Sequence, residues 1–462
     1  MSDKQNIVVI GASVAGHEII NTLVPLLPSG YRLLLVDQFG FAFWPLGSLR
    51  AAVVPGWEQR VTAPLNTETV FPAGSPHTVI APNKVVQLKP GSIVLEHPFE
   101  GKKEVPFFYK YFGGLRGFGD FVGFRDSWDH RVSDDYVQVV PDLQLRYQGA
   151  AAYGSMHARC ILATGSSQPA PMRPSEGATE ASYRDELVQL QRDIAKAKKV
   201  LVVGAGAVGL EMAGEIREAH PDKPITIIHS LSHVLNPTSP PQPEDQTGYT
   251  APTSLPKLSL ALEKQLAQLN IDLVLDDRVV IPPPGTVSPS SIEWDGTPGR
   301  TSDGGIKKVR TTSGKTIEAD FVFVSIGNKP NSGLVKDVDT GAVKGGMIWV
   351  DEYLRVRSDK LSKYYAIGDC STSPGWKTSQ GAVYDAAGAA ANIIAEVKGK
   401  GAKKYKRPTM HGLAVTLGQE IGSIQLTMPL FGTMLEKLLV EDRFATRFKG
   451  SEAVALPPVA AA

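Results

Sequence analysis

Cysteine is nearly absent: Cys160 and Cys370 are the only two among 462 residues, and they form no CxxC or CxxxxC pair. That excludes a disulfide framework, a cysteine-rich zinc site and a redox-active dithiol. Net charge is nearly absent as well, since 48 Lys and Arg against 47 Asp and Glu leave +1. No broad field therefore draws the chain to nucleic acid or to acidic lipid. No apolar run reaches the ~18 residues that a membrane-spanning helix needs. The opening MSDKQNIVVIG enters a strand within a few residues, which leaves no room for a signal peptide or basic presequence. No glycine follows Met1 for N-myristoylation. The expectation is a soluble, cytoplasmic protein.

What the chain does have is repetition. Residues 6 to 38 read strand, helix, strand, as IVVIG, a helical segment and YRLLLVDQ; residues 199 to 230 repeat the plan as KVLVVGAGAVGLEMAGEI and PITIIHS. Two such βαβ openings predict two nucleotide-binding domains. Further strands ending in glycine turns follow at ILATG, VSIGN and YYAIGDC. Residues 236 to 256 are too rich in Pro, Ser and Thr to pack and read as an exposed loop. From Thr378 an alanine-rich helix is expected to approach its neighbours closely.

The second fingerprint is complete. Gly204, Gly206 and Gly209 stand in GxGxxG spacing between VLVV and a helix. This allows a tight turn, close backbone approach to a pyrophosphate and close helix packing. The other reading is a glycine turn joining two packed elements. The first fingerprint keeps Gly11 and Gly16 but has Ser13 between them. Serine crowds the approach of a phosphate, yet its hydroxyl can donate to an oxygen. Asp37 closes the next strand, where it would accept from ribose hydroxyls. A surface turn carboxylate is the alternative.

Asp369, beside a glycine and ahead of the alanine-rich helix, decides between these readings. GASVAGHE, ILATG, GAGAVGLE, VSIGNKPN and AIGDC occur in one order, and in that order the chain resembles the two-dinucleotide-binding-domain flavoproteins. GSLRAAVVPG, VDEYLRV and WKTSQGAVYDAAGAAANI resemble its apoptosis-inducing-factor-homologue and ferroptosis-suppressor branch. The resemblance implies an α/β fold with FAD in the first Rossmann-like domain and NADH or NADPH in the second, plus a small C-terminal α+β region. The implied FAD domain is 1–197 with 336–400, the NAD(P)H domain 198–335, and 401–462 a C-terminal domain or interface.

It also implies roles. Asp369 would bind the flavin ribityl chain, Thr164 and Gly165 would line the crossing between domains, and Val85 and Gly327 join the cofactor-binding set. Lys377 would lie near the flavin, where a cation stabilises charge on the reduced ring; otherwise it is a solvated loop lysine. Glu211 would face nicotinamide and flavin and orient or relay a proton; otherwise it belongs with Glu215 and Glu218 to a solvated helix face. Arg50 resembles a flavin-contacting arginine and could equally be a surface one. His229 ends the second ribose-facing strand, so no acid repels a 2′-phosphate and no adjacent arginine attracts one. NADH and NADPH are both admissible.

The implied activity is hydride transfer from NAD(P)H through FAD to a quinone, without a dithiol. The competing readings are a reductase of a protein or radical acceptor and a nicotinamide-sensing regulatory flavoprotein with little turnover. No nucleic acid is expected. Two stretches fit less well. Residues 110–160 interrupt VPFFY and ILATG, which would otherwise join into one strand, and read as an insertion or translated intron. The tail LTMPLFGTMLEKLLV would rest peripherally on a bilayer or form a buried homodimer face.

Overall fold

The computed structural model describes residues 4–107, 159–168, 170–235, 249, 252, 254–326, 328–408 and 411–427. Its main elements begin with β1 (Gln5–Ile10), α1 (Val14–Leu23), β2 (Tyr31–Val36), α2 (Pro45–Ala51) and β3 (Thr78–Ile80). A meander follows, β4 (Val85–Lys89), β5 (Ser92–Phe99) and β6 (Lys102–Pro106), then β7 (Cys160–Leu162), β8 (Ser166–Ser167) and α3 (Glu180–Lys196). The second half runs β9 (Val200–Val203), α4 (Ala207–Ala219), β10 (Ile225–Ile228), α5 (Pro256–Gln268), β11 (Asp272–Val274), β12 (Gly299–Arg300) and β13 (Phe321–Val324). It closes with β14 (Lys329–Pro330), β15 (Tyr364–Ala366), α6 (Ser379–Val397), β16 (His411–Thr416) and β17 (Gly422–Thr427).

Unbroken apolar runs such as IVVI, LLLV, VLVV and FVFV suit strands buried on both faces, as parallel sheets require. They form two sheets. The first has the order β15-β7-β1-β2-β3 and is parallel throughout. The second has the order β11-β10-β9-β13-β12, parallel except at its β12 edge. Both are Rossmann-like, as the repeated βαβ pattern implied. In the first core α6 lies on α1, and Ala382, Ala386, Ala389 and Ala390 are the residues buried there. Their small side chains let the two helices approach. Thr378 starts α6 by accepting the amide of Gly381.

The two folds are not independent. Leu49, Ala51, Ala52 and Val53 belong to the first βαβ half of the chain, yet they pack in one core with Val200, Leu210, Met212 and Ile216 of the second fold. Among the described residues of 401–427, Tyr405 packs against the first core while Val415 and Leu417 belong to the second. Asn392 exchanges side-chain hydrogen bonds with Lys403, and the Tyr405 ring lies on Gly388. The β16–β17 hairpin covers α4 and α5, adding Val415 and Leu417 to the second core. Gly214 is required at that contact, because a Cβ there would stand 2.3 Å from Leu417 Cα.

The pieces that flank the expected insertion are described on either side of it: Val105 and Pro106 close the meander against Ile93 and Ser92, and β7 lies inside the parallel sheet. Nearly all of the expected insertion, and of the tail segment expected at a bilayer or dimer face, lies outside the described residues. Among the described residues no helix is long and apolar enough to cross a membrane.

Candidate active site

The two glycine turns repeat each other closely. Gly11 has φ +103° and Gly204 φ +104°, a region open to glycine at little cost. A Cβ on Gly16 would sit 1.8 Å from Gly11 O, and one on Gly209 would sit 2.0 Å from Gly204 O. In both folds, then, the helix starts only because the glycine lets it rest on its own turn. The next strand end also presses on each turn: a Cβ on Gly11 would meet Ala163 O at 2.4 Å, and one on Gly204 would meet Ser325 Oγ and Ile326 Cγ2 at 2.9 Å.

Each turn is held by the residue at the end of the following strand. In the first fold Ala12 N–H donates to Asp37 Oδ2 at 2.7 Å and Phe39 N–H to Asp37 Oδ1 at 2.8 Å. Burial raises the Asp37 carboxyl to about 6, against the lowering effect of those two amides. His17 in α1 grips the same residue from the other side, donating Nδ1–H to Ala12 O at 2.8 Å. In the second fold Ala205 N–H donates to His229 Nδ1 at 3.2 Å. That fixes the neutral tautomer with its proton on Nε2, an atom that is buried without a partner among the described residues. Burial also lowers the His229 pKa.

These turns fit dinucleotides. Neither α1 nor α4 has an acidic residue in its first turn, so nothing opposes an anion at their N-terminal amides. Space in front of Gly206 is open, since no atom lies within 4 Å of a Cβ built there. Ser13 occupies the matching place in the first fold, as the N-cap residue of α1, and makes no capping bond to that helix. Its hydroxyl is thereby left to donate to a phosphate.

Asp369, Thr164, Gly165 and Lys377 gather where β7, β15 and the start of α6 meet α1. Gly368, at φ +71°, turns the chain so that a Cβ there would touch Ala15 and Ala382. Asp369 follows, and its Oδ2 accepts from Ser166 Oγ at 3.1 Å. Burial pushes its carboxyl up, while Ser166 and the charge of Lys377 oppose this. Thr164 and Gly165 form the crossing to the second fold. Thr164 Oγ1 donates to Asn331 O, Asn331 Nδ2 donates to Thr164 O, both at 2.7 Å, and Asn331 N–H donates to Gly165 O at 2.9 Å. Lys377 is no solvated loop lysine. It donates to Ser373 O at 2.7 Å and Ser373 Oγ at 2.9 Å, lies 4.7 Å over the Tyr249 ring, and is lowered to about 8 by burial.

Other candidates stand elsewhere. Arg50, expected against the flavin or at the surface, pairs with Glu215. Its Nε and Nη2 donate to the Glu215 carboxylate at 2.9 and 2.7 Å, and its guanidinium lies 5.0 Å over Trp57. Glu211, Glu215 and Glu218 do not share one environment: Glu215 is buried against Arg50, Glu211 lies against the hairpin, and Glu218 is exposed. Glu211 accepts the backbone N–H of Thr416, and burial raises it to about 8. Glu218 accepts from Gln419 N–H. Val85 is a core residue of the meander, two positions beyond Asn83, whose N–H donates to Asp37 O at 2.8 Å. Gly327 lies outside the described residues. His17, Ser166, Ser373 and Asn331 were not singled out in the sequence. Only the spacing of His17 from Gly11 and of Asn331 from SIGN could have pointed to two of them.

The family model for pyridine nucleotide-disulphide oxidoreductase matches residues 150–387, just over half of the chain. Among curated proteins, FAD-dependent oxidoreductase FVFD30 of Flammulina velutipes is 28% identical over 57% of this chain and 70% of its own length. Apoptosis-inducing factor homolog B of Dictyostelium discoideum is 28% identical over 62% and 73%, and mouse ferroptosis suppressor protein 1 is 28% identical over 63% and 69%. Among solved structures, an NAD-dependent persulfide reductase from A. fulgidus aligns with TM-score 0.55 and 17% identity; the alignment covers 92% of this chain and 64% of that one. A ferredoxin reductase from Rhodopseudomonas palustris aligns with TM-score 0.52 and 16% identity, over 89% of this chain and 80% of that one. With a glycine turn opening each fold and the family model spanning residues 150–387, which include the second of these turns, this chain belongs to the pyridine nucleotide-disulphide oxidoreductases, flavoproteins that use FAD with NAD(P)H.

Proposed function

We propose that this enzyme moves a hydride from NADH or NADPH, by way of FAD, to a quinone-type small molecule: NAD(P)H, one proton and the quinone give NAD(P)+ and the quinol. The observation that carries the direct route is the state of the cysteines. Cys160 and Cys370 are both buried and unpaired, and burial raises both thiols. Thiolate chemistry needs the opposite environment. An acceptor that takes hydride without a thiol relay is thus favoured, and resemblance to the ferroptosis-suppressor branch favours a quinone among such acceptors.

Bound FAD supplies the two-electron relay between nicotinamide and acceptor. The chain supplies the rest. The Gly11 turn and Ser13 would hold one pyrophosphate, Asp37 its adenosine ribose and Asp369 the ribityl hydroxyls. The Gly204 turn would hold the other pyrophosphate, and His229 offers an Nε2–H donor to the second ribose. Lys377 holds a proton at Nζ in the site where the net reaction consumes one.

The test is a spectrum of the purified holoprotein before and after one equivalent of NADH or NADPH, followed by a short-chain quinone. Bleaching and recovery of the flavin band with rapid multiple turnover is expected. Tight nicotinamide binding without acceptor reduction would overturn the reading. In Lys377→Ala turnover should fall by more than nicotinamide affinity; equal turnover would remove Lys377 from the mechanism.

A further inference from the structure

Behind the flavin-side residues lies a buried carboxylate that the proposed reaction does not use. Asp385 in α6 is fully buried. It accepts four hydrogen bonds: from Gly368 N–H at 3.1 Å, Ser373 Oγ at 2.5 Å, Tyr405 Oη at 2.8 Å and Arg407 Nη2 at 2.7 Å. Two of these reach forward. Gly368 is the turn glycine that presents Asp369, and Ser373 holds the Lys377 ammonium through both its carbonyl and its hydroxyl. The other two come from the chain beyond α6. Arg407 also donates to Trp376 O at 3.1 Å, and it crosses where Cβ atoms at Gly375 and Gly381 would stand 2.6 and 2.3 Å from it. Both glycines keep open its path to Asp385.

We propose that Asp385, with Arg407 seated on it, is the positioning residue of the flavin-side site: its one carboxylate fixes the turn carrying Asp369 and, through Ser373, both the place and the charge of the Lys377 ammonium. This rests on the assignment of Lys377 to the flavin side. The charged and titratable groups around Lys377 are Asp385 and Asp369, which favour its ammonium form, Arg407, which opposes it, and the Cys370 thiol; the Tyr249 ring covers it. Burial opposes the ammonium form most strongly. The two acids therefore keep Lys377 protonated in a site that would otherwise strip its proton.

The experiment follows the Lys377 Cε resonance against pH in FAD-bound protein labelled at lysine, the signal identified by its loss in Lys377→Arg. Turnover of NADH with a short-chain quinone is recorded over the same range. Asp385→Asn should shift the Lys377 titration down by about one pH unit, the lower end for losing an opposite charge nearby. Arg407→Gln should shift it up, and the alkaline limb of turnover should follow in each case. Shifts of opposite sign do not arise from general loosening. If Asp385→Asn fails to retain FAD, Ser373→Ala breaks the bridge alone and should also shift the titration down, while Asp385→Glu should restore it. Unmoved titrations in Asp385→Asn, or in Ser373→Ala where the first loses FAD, overturn the proposal. An alkaline limb that persists in Lys377→Met would instead overturn the role of Lys377, leaving the resonance shift to judge Asp385.

Discussion

Replacing Glu211 with glutamine should make the protein's stability less sensitive to alkaline pH. Glu211 lies two residues past Gly209, beneath the hairpin, with the Thr416 N–H on its carboxyl. Desolvation raises its pKa from 4.5 to about 8, and the charge of Glu215 adds to the rise. A folded-state pKa above the unfolded one means that the folded protein binds this proton more tightly. The resulting stability is fully present below about 4.5 and is lost as pH rises through about 8. At about 1.4 kcal/mol per unit, the whole span amounts to on the order of 4–5 kcal/mol. Glutamine has nearly the same shape, can accept from Thr416 with its carbonyl, and does not ionise. Urea unfolding of both proteins at pH 5.5, 7 and 8.5 isolates the effect, because the other titrating groups cancel in the difference. The variant should gain on the wild type by roughly 1 kcal/mol or more per unit over that range. A difference that stays constant with pH would show that Glu211 is ionised in the folded protein and that the hairpin does not desolvate it.

Three further outcomes are expected. Arg50→Met leaves Glu215 buried without its bidentate partner and should cost about 2–3 kcal/mol, somewhat below the range for fully buried pairs because Arg50 is partly exposed; adding Glu215→Gln should recover part of the loss in the same unfolding assay, and no recovery would mean the pair is not the source. Ser13→Ala removes a hydroxyl that would donate to a charged phosphate, so FAD should dissociate about tenfold more readily, following the ~1.5–3 kcal/mol of such bonds; unchanged flavin affinity by fluorescence would place the phosphate elsewhere. His229→Asp should weaken NADP+ far more than NAD+ in calorimetric titrations, since a carboxylate repels a 2′-phosphate; equal weakening would show that the ring does not face that position.

The parts of this protein readable from sequence are those set by local spacing. Gly204 and Gly209 announce their turn because the six residues from one to the other suffice to build it, and the buried runs VLVV and FVFV announce strands because nothing polar interrupts them. Ser13 departs from the fingerprint by its side chain, and only the structure shows that its hydroxyl makes no capping bond to α1. What escaped reading is held by contacts distant in the chain. Arg50 meets Glu215 across 165 positions and Ser166 meets Asp369 across 203, and no periodicity records either. The helix bearing Glu211, Glu215 and Glu218 shows the same limit: helical spacing does not tell that Glu215 meets Arg50 from 165 positions earlier or that Glu211 meets Thr416 about two hundred positions later.

The two folds use one backbone device and end it differently. In each, the amide after the first glycine must be satisfied by the end of the neighbouring strand, and Asp37 and His229 both do so while lying at the edge where a ribose is expected. A carboxylate in that place keeps accepting capacity for two hydroxyls and repels any added phosphate, which suits a turn dedicated to one tightly held group. A histidine whose Nδ1 already receives the Ala205 amide has only a neutral donor left. That donor pairs with a hydroxyl oxygen or with a phosphate oxygen, and protonating the ring to favour the phosphate would break the bond that holds the turn. If the second nucleotide's ribose lies at this edge, that donor serves NADH and NADPH alike, and calorimetric titration of both nucleotides should give similar affinities.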